Sequence, residues 1–131
     1  VGDREFRVVS VSMGNPHAVI LDGWTEEDFP VYGPRLEKHP AFPRGTNVEF
    51  VRVREPGHLE VMVWERGSGP TQACGTGACA SLVAAALGGR SARRARVSLP
   101  GGDLEVEWTR GGTVYMTGPA EEVCRGEFLW P

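Results

Sequence analysis

Between Ala73 and Leu87 this 131-residue chain holds no charged residue. That stretch, Ala73-Cys74-Gly75-Thr76-Gly77-Ala78-Cys79-Ala80-Ser81-Leu82-Val83-Ala84-Ala85-Ala86-Leu87, predicts a helix beginning near Cys74 to Thr76. Gly88 and Gly89 end it, since glycine accepts the left-handed conformation beyond a helix end. A helix apolar on all sides is buried on all sides. About fourteen residues rise roughly 21 Å, enough to pass through a small domain but too short to span a bilayer. Its alanines let strands approach closely. The expected architecture is therefore a helix threaded through a curled sheet.

The helix is entered from a strand and a glycine-rich turn. In Leu59 to Arg66, Leu59, Val61, Val63 and Glu65 alternate onto one face, and Met62, Trp64 and Arg66 take the other. An acid thus ends an apolar row. The N–H groups of Gly75, Thr76 and Gly77 at the helix start can hold a carboxylate or phosphate. The same partial positive charge lowers a thiol pKa, which predicts a thiolate at Cys74 near neutral pH.

Length predicts one domain, residues 1–131, with a modest core. Net charge is -3, which favours neither nucleic acid nor an anionic membrane as partner. No apolar run reaches the roughly 18 residues of a membrane span. The 3 cysteines show no zinc-ligand spacing and fit a reduced, cytoplasmic setting. The chain starts at Val1 without Met, as a fragment or processed product would.

Strands are expected at Glu5–Ser12, Ala18–Leu21, Asn47–Glu55, Arg96–Leu99, Leu104–Trp108, Val114–Thr117 and Val123–Leu129. Met13 to His17 reads as a turn. Thr25 is expected to cap a short acidic helix start at Glu26-Glu27-Asp28, and a helix is expected within Asp28 to His39, interrupted or shifted by Pro30 and Pro34. The apolar phase changes between Phe50 and Val51, which suggests a bulge. The sum is an α+β fold, mostly antiparallel, with two helices.

Polar residues gather at strand ends and turns: Asn15 and His17, Asn47, Glu65 and Arg66, and Cys74 with Gly75 and Thr76. Each has an ordinary structural reading as turn residue, surface ion pair or small buried hydrophobe. A Cys with a His and a Glu otherwise suggests a nucleophilic thiol or a thiol that carries protons. The glycine turn has no P-loop Lys-Ser/Thr, so it carries no nucleotide claim.

Four blocks resemble diaminopimelate epimerase in order and spacing. They are Ser12-Met13-Gly14-Asn15-Pro16-His17; His39-Pro40-Ala41-Phe42-Pro43 with Thr46-Asn47-Val48; Trp64-Glu65-Arg66-Gly67-Ser68-Gly69; and Ala73-Cys74-Gly75-Thr76-Gly77-Ala78-Cys79-Ala80. The resemblance covers essentially the whole chain but only the C-terminal half of the family's protein. It implies a mostly antiparallel, β-barrel-like sheet wrapped round a central apolar helix, one of two pseudo-symmetric halves with the site in the cleft between them. It implies inversion of one α-carbon, L,L- to meso-diaminopimelate, without pyridoxal phosphate or metal. By matching position, Cys74 is one of two catalytic thiols, and His17 and Glu65 tune the thiols. Asn15, Asn47, Glu65, Arg66, Gly75 and Thr76 bind substrate. The partners implied are an amino acid and the N-terminal half absent here; an exposed half-cleft also favours a homodimer.

A single Cys74 cannot supply base and acid on opposite faces, so this chain alone is expected to be inactive. The rival within the fold is a proline or hydroxyproline racemase. Isomerases of the phenazine pathway share the architecture but lack a thiol at this position. Outside the class, a non-catalytic carboxylate-binding module or a Cys-His hydrolase would use the same residues.

Overall fold

A computed structural model describes residues 1–130. In chain order the elements are β1 (Val9–Ser12), β2 (Pro16–Ile20), α1 (Asp28–Glu37), β3 (Asn47–Glu55), β4 (His58–Glu65), β5 (Gly69–Thr71), α2 (Gly75–Leu87), β6 (Arg94–Leu99), β7 (Gly102–Trp108) and β8 (Val114–Thr117). The strands form one sheet in the order β1-β2-β3-β4-β6-β7-β8, with β5 added on β4. β2 pairs with β3, and β4 with β6, in parallel. The remaining pairings are antiparallel. The sheet is therefore mixed. Parallel neighbours need a crossover connection, and each helix supplies one: α1 lies between β2 and β3 in the chain, α2 between β4 and β6. The sheet curls over α2, which touches β1 to β4 and β6 to β8. β1 and β8 end the strand order as its two rims, so the barrel is a half-barrel.

Two hydrophobic clusters fill the two sides of the sheet. One joins α2 to Val19, Val51, Leu59, Val61, Val63, Val97 and Val106. The other joins α1 to Ile20, Val48 and Phe50. β3 is thus covered on both faces, with Val51 turned to the α2 side and Val48 and Phe50 to the α1 side. This corrects the expected bulge between Phe50 and Val51. The β3–β4 register runs unbroken from Val48 opposite Trp64 to Val53 opposite Leu59, and shifts only between Val53 and Glu55. A continuous apolar run here means two-sided burial, not a change of phase.

Most of α2 is buried, with only Thr76 and Leu87 exposed within it. Its end is a Schellman motif: the Arg90 N–H donates to Ala85 C=O at 2.9 Å and the Gly89 N–H to Ala86 C=O at 3.1 Å. The left-handed residue is Gly89, with φ +67; Gly88 stays at φ -76.

Other expectations need adjustment. Glu5 to Val8 and Val123 to Leu129 form no strand. His17 lies within β2 rather than in a turn. α1 continues through both prolines: Pro30 falls in the first turn, where an N–H has no intrahelical partner. Capping at Thr25 is reversed, for the Asp28 carboxylate accepts from the Thr25 backbone N–H at 2.5 Å and from its hydroxyl at 3.1 Å.

Candidate functional site

Cys74 is the N-cap of α2, with extended backbone at φ -143 and ψ 103. Its sulfur accepts the Gly77 N–H at 3.4 Å and lies 3.7 Å from the Thr76 hydroxyl. That contact claims one of the three amides expected to bind an anion. Those of Gly75 and Thr76, which have no intrahelical partner at this position, remain for a ligand.

The turn before β2 meets this helix start. Asn15 Nδ2 donates to Thr76 Oγ1 at 3.3 Å, and Asn15 Oδ1 lies 3.0 Å from His17 Nε2. The other ring nitrogen of His17, Nδ1, lies 2.6 Å from Glu49 Oε1, and both side chains are fully buried. Parallel pairing of β2 and β3 sets this up: His17 stands opposite Asn47, and Val19 opposite Glu49. His17 and Glu49 therefore point to the same side of the sheet, towards α2.

Asn47, Glu65 and Arg66 gather where β3 begins and β4 ends. Asn47 Nδ2 donates to Pro16 C=O at 3.2 Å, and its Oδ1 accepts the Arg66 N–H at 2.8 Å. Glu65 and Arg66 do not pair with each other. Glu65 accepts from the Thr71 hydroxyl at 2.6 Å, while the Arg66 guanidinium donates to Arg44 C=O at 3.1 Å. Behind them the buried Glu37 carboxylate accepts from the Trp64 indole N–H at 2.9 Å and the Gly67 N–H at 3.0 Å. α1 thereby holds the Glu65-to-Gly67 turn in place.

Burial works against the thiolate expected at Cys74. The side of the helix start is right, but Cys74 is only 8% exposed. Burial pushes its thiol above the usual range. The Gly77 amide and Thr76 hydroxyl pull it down, and the Glu65 and Glu49 carboxyl groups push it up again. Loss of water is the largest of these influences.

An open groove of about 390 Å³ runs beside Asn15 and His17, lined also by Ser10, Ser12, Phe42 and Arg44. Cys74 lies outside its lining. Glu49, Thr71 and Glu37 are not among the residues expected at the site. Glu49 carried a signal, for it is the lone acid within the apolar run Val48-Glu49-Phe50-Val51.

The diaminopimelate epimerase family model matches residues 9–123. A diaminopimelate epimerase of Desulfitobacterium hafniense is 56% identical over 130 residues, covering 98% of this chain and 46% of that protein. One from Desulforudis audaxviator is 58% identical, covering 98% and 47%. The chain spans about half the length of the curated relatives it matches. Among solved structures, a phenazine biosynthesis protein of the PhzF family from Bacillus anthracis aligns with TM-score 0.58 at 21% identity, over 85% of this chain and 38% of that one. At that identity the likeness is one of fold.

Proposed function

Since the chain belongs to the diaminopimelate epimerase family, we propose that it carries one proton-transferring thiol, Cys74, of a two-thiol amino acid epimerase. The reaction proposed is inversion of one α-carbon of diaminopimelate, L,L to meso, with neither pyridoxal phosphate nor a metal required. The second thiol and further substrate contacts belong to the half of the cleft outside this chain. The setting proposed is cytoplasmic, and a homodimer is one way to cover the open half-cleft.

The observation that supports this reading best is the hydrogen-bonded start of α2. There Cys74, Thr76, Asn15 and His17 form one connected group. An α-proton is weakly acidic, so its removal calls for a dry site and donors aimed at developing charge. The Gly75 and Thr76 amides are suited to an α-carboxylate. Asn15, Asn47, Glu65 and Arg66 supply polar groups round it. In one direction Cys74, in its thiol form, acts as the acid. A base on the opposite face removes the α-proton and leaves the electron pair on carbon. The Sγ–H proton passes to that carbon, and the thiolate left behind is held by the Gly77 N–H and the Thr76 hydroxyl. The reverse direction exchanges the two roles.

The test is to incubate the full-length protein with L,L-diaminopimelate in heavy water, with L-proline as a parallel arm. The expected product is the meso isomer carrying deuterium at one α-carbon, lost in Cys74→Ser, with proline untouched. Racemised proline would favour the rival enzyme, and activity retained in Cys74→Ser would leave a non-thiol or binding role. Turnover by this chain alone would overturn the need for the other half.

A further inference from the structure

Five side chains form an unbroken line from the interior to the reacting sulfur. Glu49 Oε1 lies 2.6 Å from His17 Nδ1. His17 Nε2 lies 3.0 Å from Asn15 Oδ1, Asn15 Nδ2 donates to Thr76 Oγ1 at 3.3 Å, and Thr76 Oγ1 lies 3.7 Å from Cys74 Sγ. We propose that Glu49 is a positioning residue: its carboxyl group fixes His17 with a proton on Nε2, and through Asn15 this aims the Thr76 hydroxyl at the Cys74 sulfur. The catalytic meaning rests on Cys74 as the reacting thiol; the geometric claim does not.

Donors and acceptors dictate the proton positions. Asn15 spends its N–H on Thr76, so it offers His17 only a carbonyl oxygen. Nε2 must then be the donor. Nδ1 faces a carboxyl oxygen, so a second proton lies between Nδ1 and Oε1 whichever of the two atoms holds it. Thr76 Oγ1 accepts from Asn15, which leaves its own proton for the sulfur. A bare ring nitrogen at Nε2 would face a lone pair and break the line at its middle.

The surroundings of Glu49 favour the same proton count. Its Oε2 is buried without a hydrogen-bond partner, a costly position for an ionised oxygen. Facing it are His17 from β2, Glu65 from β4, and Cys74 with Gly77 from the start of α2. Burial, reinforced by the Glu65 charge and opposed by His17, raises the Glu49 pKa. The orphaned oxygen and the burial both favour a proton kept within the pair.

The experiment uses the ¹⁵N-labelled chain at pH 7, with the His17 ring identified by its loss in His17→Gln. Long-range proton–nitrogen correlation is expected to place a proton on Nε2. Glu49→Gln should keep that pattern, since its amide N–H can donate to Nδ1. In a Cys79→Ala, Cys124→Ser background, Glu49→Gln should keep the rate of Cys74 alkylation by iodoacetamide within about twofold, whereas Glu49→Leu should slow it about fivefold, the worth of one hydrogen bond. The Glu49→Leu rate profile should also move to higher pH. A wild-type ring protonated on Nδ1 alone would overturn the proposal, as would Glu49→Leu matching Glu49→Gln in both readouts. If Glu49→Leu fails to fold, the wild-type ring and Glu49→Gln decide. Failure with diaminopimelate beside an intact Nε2 proton would strike the functional reading and leave this one standing.

Discussion

At Gly77 a missing side chain lets the Glu49 carboxyl group from β3 and the Cys74 thiol both pack against the first turn of α2. A Cβ there would lie 3.0 Å from Glu49 Oε1 and 3.2 Å from Cys74 Sγ. Alanine would gain helix propensity, worth about 1 kcal/mol at most, but it would press on two side chains already held by hydrogen bonds. Gly77→Ala is expected to destabilise the chain by about 1–2 kcal/mol net in urea unfolding, given the usual cost of overpacking. Glu49 offers a test by pH. Its folded pKa is raised, so its contribution is fully present below the ordinary carboxylate pKa and declines as pH rises towards the folded value. Glu49→Gln lacks that decline, so its stability relative to wild type should improve between pH 4 and pH 7. Asn15 and Cys74 drew notice because they stand at a turn and a helix start, where local chemistry shows in sequence, whereas His17, expected in that turn, lies within β2. Glu49 drew none, because its meaning depends on a strand distant in the chain.

Elements explain where the alternation rules succeeded and where they failed. β4 reads true, with Leu59, Val61 and Val63 buried on one face, because its two sides differ in composition. β3 misleads, because helices cover both its faces and both are apolar. The burial of α2 followed from its lack of charge. Leu82 is fully buried in it, so Leu82→Ala should cost about 2–5 kcal/mol in urea unfolding. The tie from α1 to the Glu65-to-Gly67 turn carries a pH signature opposite to that of Glu49. Burial pushes the Glu37 carboxyl up, but the Gly67 amide, the Trp64 indole and Lys38 together hold it below its usual range. Its contribution is present above the ordinary carboxylate pKa and lost as pH falls through the folded one. The advantage of wild type over Glu37→Gln should therefore shrink from pH 7 to pH 3, measured by urea midpoints.

Across the molecule, the balance of α and β was legible, but the mixed sheet was not. Each parallel pairing is made by elements far apart in sequence, and no local pattern announces it. The same reasoning explains the strand expected at Val123–Leu129. Apolar residues suggested one, but a strand exists only against a neighbour. Here Val123, Phe128, Leu129 and Trp130 are all more than 80% exposed. Ending the chain at Gly118 should change its unfolding free energy by less than about 0.5 kcal/mol, the range of surface changes, as read by denaturant titration.

The pairing of His17 with Asn47 has a last implication. Side chains alternate along a strand, so a slip of β3 by one position would present Val48 or Phe50 where Glu49 now stands. No halfway arrangement keeps the imidazole its acid partner. Assembly at this seam is all or nothing.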